Sequence, residues 1–175
     1  MTSLVLVAGP PGAGKSTVSR LLAQTWDLSV HLHKDDLYAW IASGYIEPWR
    51  DGSQDQNMAI AQASARAADT FVASGYTVIV DGVLSPWALE PYRALGRDIA
   101  YVVLRPSLGA AERRAAERGE HPLKDLSVVG QMHRVFSDEL LGDYARHVID
   151  STTLTPEETA AEVRRRVDAG DLVVT

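Results

Sequence analysis

Five short apolar runs punctuate the chain: Leu4–Ala8, Leu28–Leu32, Tyr76–Val80, Ile99–Leu104 and His147–Ile149, each rich in Val, Ile or Leu. Runs of this length and composition predict strands buried in a parallel sheet. Around them the polar and apolar positions fall into amphipathic stretches of helical period, at Ser16–Thr25, Leu37–Ser43, Asp55–Ser74, Trp87–Leu95, Leu108–Arg118, Leu126–Leu141 and Pro156–Ala169. Strand alternating with helix predicts an α/β sandwich, its sheet covered by helices on both faces. Some ends carry local signals. Ser74-Gly75 closes one helix, and Thr155-Pro156-Glu157-Glu158 opens another with a capping hydroxyl, a first-turn proline and two acids at the positive end of the helix. Leu172–Val174 is a candidate edge strand. No repeat, low-complexity tract or linker interrupts the pattern, so residues 1–175 are expected to form one domain.

The junction of the first strand and first helix carries the most specific chemistry. Gly9-Pro10-Pro11-Gly12-Ala13-Gly14-Lys15-Ser16-Thr17 satisfies G-x-x-x-x-G-K-[ST] in the strand-to-helix setting that the motif requires. Glycines let successive backbone N–H groups converge on an anion, and the following helix turns its positive end toward it. Lys15 is placed to reach the outer phosphates of a nucleotide, and the Ser16 hydroxyl to ligate Mg²⁺. A dinucleotide fingerprint would need G-x-G-x-x-G, but after Gly12 and Gly14 the third glycine is replaced by Thr17.

Composition sets the surroundings. Hydrophobic residues make up 46% and charged residues 23%, as in ordinary globular chains, and the net charge of −6 disfavours nucleic acid and anionic membranes as partners. The absence of cysteine excludes disulfides and thiolate metal sites. The first apolar run breaks at Gly9–Pro11 without a basic segment before it, and no run nears the roughly 18 residues of a membrane span, so a cytoplasmic protein is expected.

A nucleotide switch would carry an N-K-x-D guanine reader on a late strand and a D-x-x-G beside the γ-phosphate. The closest match, His33-Lys34-Asp35-Asp36, follows the second strand instead, and Asp81-Gly82 completes no D-x-x-G. Two carboxylates at the C-terminal end of a parallel strand suit another role. Ligands bind at that edge, and an acid there can take the proton of an attacking hydroxyl.

Together these residues resemble the small P-loop kinases of the nucleoside-monophosphate-kinase-like fold, the AAA-type ATP-binding kinases that include chloramphenicol phosphotransferases and the kinase domain of polynucleotide kinases. The matched features are the loop at Gly9–Thr17, the acid at Asp35 and the arginine-rich segment Leu104–Arg118. The resemblance implies a three-layer α/β fold with a five-stranded parallel sheet in the order 2-3-1-4-5 and an arginine-containing lid at about 113–126. It also implies ATP and Mg²⁺, with Asp35 as the catalytic base and Asp36 second to it. Lid arginines in this fold clamp phosphates. Arg114 and Arg118 share a helix face four residues apart and are the candidates, whereas Arg113 stands off that face beside Glu117. Tyr76–Val83 resembles a strand that ends in a metal-site acid, Asp81, which would hold Mg²⁺ with Ser16, face the acceptor, or cap a turn.

The acceptor is expected at about 35–57. Asp36, Tyr38, Trp40, Trp49, Asp81 and Trp87 are its candidate residues, and three of the four tryptophans of the chain are among them. Aromatic walls with few polar groups suit a partly apolar hydroxyl compound. A monophosphate would call for more arginines than Arg50 and Arg93, and a nucleic-acid end for a basic channel. The expected activity is transfer of the γ-phosphate of ATP to a hydroxyl of an antibiotic or metabolite, in a monomer or homodimer. The alternatives are a nucleotide or polynucleotide 5′-hydroxyl kinase and a non-catalytic ATP-binding regulator. Arg164-Arg165-Arg166 lies among acids and reads as a solvated helix face.

Overall fold

The computed structural model describes residues 2–117, 126–137 and 141–174. In chain order the elements are β1 (Leu4–Ala8), α1 (Lys15–Ala23), β2 (Ser29–His33), a 3₁₀ turn at Lys34–Trp40, α2 (Gln54–Ala73) and β3 (Thr77–Asp81). A 3₁₀ turn at Pro86–Leu89 then runs into α3 (Glu90–Arg93), followed by β4 (Ile99–Leu104), α4 (Leu108–Glu117) and α5 (Leu126–Val135). A last 3₁₀ turn at Gly142–His147 leads to β5 (Val148–Ile149), α6 (Pro156–Ala169) and β6 (Val173–Val174).

The sheet order is β2-β3-β1-β4-β5, all parallel, as the sequence predicts, with β6 added antiparallel to β4. β1 is apolar throughout and takes the centre, every residue fully buried, with Val5 in register with Ile79 on one side and Ala100 on the other. β2, with its serine and two histidines, takes the edge and is half-buried along its length. Alternation then divides the core. Leu4, Leu6, Val80 and Tyr101 pack with Ala68 and Val72 of α2 and Tyr92 of α3, while Val5, Val7 and Val102 pack with Leu22 of α1 and Val163 of α6. Because all five strands run the same way, the segments after β1, β2 and β3 emerge at one edge, which is where a parallel sheet places its ligands.

Helix ends follow local chemistry. Thr155 Oγ1 accepts the Glu158 N–H while Glu158 Oε2 accepts the Thr155 N–H, so the expected start of α6 is a reciprocal capping box. α2 stops where Ser74-Gly75 predicts, with the Tyr76 N–H donating back to Phe71 O and the two rings in edge contact. The arginine run of α6 is engaged internally: Arg165 bonds Glu162, Arg164 bonds Asp168 and covers Trp26, and Arg166 donates to Arg146 O.

Four boundaries differ from expectation. The predicted helix Leu37–Ser43 is the 3₁₀ turn Lys34–Trp40, which leaves β2 without an intervening loop and closes at Ile41 in extended backbone. The stretch Trp87–Leu95 divides into a 3₁₀ turn and the short α3. α5 ends at Val135 rather than Leu141, because Phe136 and Ser137 bond back in a tighter turn. β3 reaches Asp81, so that residue ends a strand rather than starting a loop. Among the described residues no helix is long and apolar enough to cross a membrane.

Candidate active site

Gly9–Gly14 loops around the start of α1. Gly12 has φ 78°, and a Cβ there would lie 2.0 Å from the Ala111 carbonyl oxygen, so only glycine lets the loop pack against α4. The Lys15 ammonium turns into the loop and donates to Pro10 O at 3.0 Å. No side chain caps the start of α1 and no acid occupies its first turn, the condition for an anion to bind at a helix N-terminus.

Behind the loop Asp81 is fully buried. Its carboxylate accepts the Ser16 hydroxyl at 2.6 Å on one oxygen, and His31 Nε2 lies 2.8 Å from the other. His33 Nε2 is 3.8 Å away, and its Nδ1 reaches Asp36 at 2.9 Å. Burial of a carboxylate is tolerable because these partners satisfy it. The Ser16 hydroxyl and Asp81 form the hard oxygen pair that suits Mg²⁺. Among the described residues no group of three His, Asp or Glu makes a closed cage, which fits an ion that completes its shell with phosphates and water.

The 3₁₀ turn brings Lys34 and Asp35 to the same edge. Lys34 is 4% exposed, its Nζ 3.0 Å from Asp35 Oδ1 and 5.0 Å from the centre of the Tyr38 ring. The pair lies against Gly82, where a Cβ would stand 2.7 Å from Lys34 Cε. Burial alone would push the Asp35 pKa up. The Lys34 and Lys15 ammonium groups outweigh it and hold the carboxyl below its ordinary value, so Asp35 is ionised at neutral pH.

Asp35 opens onto a cavity of about 460 Å³ whose wall includes Pro11 of the glycine loop. Tyr45, Trp49 and Trp87 supply aromatic surface, and Met132 and Val135 of α5 face them. Across the wall Tyr38 donates to Asn57 Oδ1 at 2.9 Å, and Asn57 and Ser53 both donate to Pro48 O. A second cavity of about 300 Å³ lies on the other flank of the loop, lined by Gly14, Thr17, Leu154 and Arg114.

Of the candidate residues, Lys15, Ser16 and Asp81 meet beneath the loop, and Asp35, Tyr38, Trp49 and Trp87 meet at the larger cavity. Three do not join it. Trp40 ends the 3₁₀ turn with 78% of its surface exposed. Asp36 points outward to His33, and Asp81 lies under Ser16 rather than in the cavity wall. Arg114 donates to the Ser151 and Thr152 carbonyls beside the second cavity, and Arg113 is exposed. Arg118 and most of the lid at 113–126 lie outside the described residues. The reading of the sequence passed over Lys34, His31 and Ser85. For His31 and His33 a signal existed: two residues apart on a strand, they share one face, and β2–β3 pairing puts His33 in register with Asp81.

No curated protein matches the chain at a significant level. Solved structures of the same fold cover nearly all of it. A sugar kinase from Janibacter sp. aligns with a TM-score of 0.71 at 19% identity, over 96% of this chain and 95% of its own. The tunicamycin resistance protein of Deinococcus radiodurans gives 0.69 at 16%, over 95% and 96%. A gluconokinase from Sinorhizobium meliloti gives 0.67 at 20%, over 97% and 91%. At these identities the likeness is one of fold. A family model described as an AAA domain matches residues 4–139, from β1 through the glycine loop and the Lys34–Asp35 turn to the end of α5, and the chain belongs to that family of P-loop kinases.

Proposed function

We propose that the protein is an ATP-dependent phosphotransferase that carries the γ-phosphate of ATP to a hydroxyl group of a small molecule. The observation that best supports this reading is the meeting of loop and acid: Asp35 and Pro11 line one cavity, and Lys15 lies near enough to lower the Asp35 pKa. The acceptor occupies that cavity. Its hydroxyl oxygen bonds to the γ-phosphorus as the bond to the ADP oxygen breaks, the hydroxyl proton passes to Asp35, and the negative charge leaves on ADP. The transfer comes late in a loose transition state, so a carboxylate of low pKa suffices. Lys15 and the N–H groups of the loop hold the outer phosphates, and Arg114, with Arg118, serves the nucleotide from the second cavity's side. Mg²⁺ bound at Ser16, with Asp81 behind it, supplies further neutralisation of phosphate charge. The printed names of the sugar kinase and gluconokinase neighbours favour a small acceptor, and the net charge of −6 disfavours a polynucleotide.

The test is single-turnover transfer from γ-labelled ATP to a screened panel of alcohols. Asp35→Asn is expected to keep ATP binding while transfer falls by roughly 10²–10⁴. Full transfer in that variant overturns the assignment.

A further inference from the structure

The charge of the acceptor follows from how the polar groups of the larger cavity are already engaged, an inference that rests on the phosphotransferase reading above. Among the described residues the cavity wall holds two cations, Lys34 and Arg50, and each is matched. Lys34 donates to Asp35 at 3.0 Å, and Arg50 is paired with Glu47. The neutral groups are matched too. Tyr38 donates to Asn57, and the Asn57 amide donates to Pro48 O at 2.8 Å and to Ser53 Oγ at 3.1 Å.

Ser85 is different. It is 3% exposed and lines the cavity, yet its hydroxyl has no hydrogen-bond partner among the described residues. A buried hydroxyl in that state is stabilised by any ligand group that bonds it. A carboxylate or phosphate on the acceptor would instead enter beside ionised Asp35 and meet no unmatched positive charge, leaving its loss of hydration uncompensated. An ammonium would pair with Asp35 and withdraw the base from the hydroxyl.

We propose that the acceptor is an uncharged alcohol. Its ring or chain packs on Trp49 and Trp87, and a second neutral polar group, a hydroxyl, carbonyl or amide oxygen, bonds to Ser85, which makes Ser85 a specificity-determining residue. Sugar acids and monophosphates are then poor acceptors, whatever related folds accept.

Two matched probe pairs test this: shikimate with methyl shikimate, and phenyllactate with methyl phenyllactate. Binding is followed by quenching of tryptophan fluorescence with Mg²⁺ and a non-hydrolysable ATP analogue present, and transfer by label from γ-labelled ATP. In both pairs the ester is expected to bind at least about tenfold more tightly, the effect of a like charge a few ångströms away at an effective dielectric of ~20. Glu47→Gln leaves Arg50 unmatched and is expected to narrow that preference. Ser85→Ala, checked by melting for an intact fold, is expected to weaken ester binding about 2- to 10-fold, the range for one neutral hydrogen bond. The proposal falls if the acid binds as tightly as its ester in either pair, if neither ester binds at millimolar concentration, or if folded Ser85→Ala binds like wild type. Preferred transfer to the acids would overturn it while leaving the kinase reading intact. Esters that bind while transfer is absent, in wild type as in Asp35→Asn, would overturn the kinase reading and leave the charge preference standing.

Discussion

Asp35 carries its charge at neutral pH because two ammonium groups flank it, and this ties the chemistry of one residue to the placement of its neighbours. Its pKa in the folded chain is depressed, so the ionised form persists as pH falls through the ordinary carboxylate range near 3.9, and any stability it contributes is lost only below that. The acid limb of a pH–rate profile for transfer is therefore expected below the usual carboxylate region. Lys34→Met removes the nearer cation and keeps the burial, so the limb should move to higher pH; an unmoved limb would show that Lys34 does not set the charge. Gly82→Ala should reproduce that shift, because its methyl group would occupy the space of Lys34 Cε. The reverse deletion has another cost. In Asp35→Asn the Lys34 ammonium remains buried without its partner, and a loss of about 1–3 kcal/mol in a denaturant titration is expected, less than for a sealed pair because Asp35 keeps 35% of its side chain exposed. Asp35 could be picked out from sequence because an acid after a parallel strand is a positional signal. Lys34 could not, since nothing in the order Lys-Asp-Asp says that the lysine is the residue turned inward. Trp40 misled for the converse reason: an aromatic residue favours burial on average, and only the early end of the 3₁₀ turn leaves this one in solvent.

Elements with chemical punctuation were legible and those without it were not. α6 begins where Thr155, Pro156 and Glu158 place it, and Thr155→Ala should cost about 1 kcal/mol in chemical denaturation, since it removes one acceptor and frees the Glu158 carboxylate. A loss under a few tenths would mean that the cap is not holding that end. By contrast, i+3 and i+4 spacings cannot be told apart over one or two turns, so Lys34–Trp40 and Pro86–Leu89 read as α-helix. α5 was overrun for a related reason, because Phe136 and Leu141 continue the apolar period after the hydrogen bonding has tightened.

At the scale of the whole molecule the sheet order follows from burial, with the all-apolar strand central and the strand bearing Ser29, His31 and His33 at the margin. One buried group makes global stability depend on pH. His147 is fully buried, with its Nδ1 2.8 Å from Tyr101 O and its Nε2 accepting from Arg146. Burial lowers its pKa, so it stays neutral in the fold at pH values where the unfolded chain binds a proton. Its contribution is therefore complete above about pH 6.5 and declines as pH falls below that value. Unfolding free energies from denaturant series at several pH values should show this decline, and His147→Gln should flatten it. An unchanged slope would assign the acid sensitivity to other groups.

Pro48, Ser53, Asn57 and Tyr38 bond to one another rather than to the strands or the glycine loop. That self-contained hydrogen bonding makes one side of the larger cavity an exchangeable part. Substitutions there can be inherited without disturbing Lys15, Ser16 or Asp81, so descendants of one ancestral framework are free to diverge in what they modify while keeping how they modify it. Laboratory selection for new acceptors should accordingly accumulate its changes between Tyr45 and Asn57 and around Ser85, and leave the glycine loop as it is.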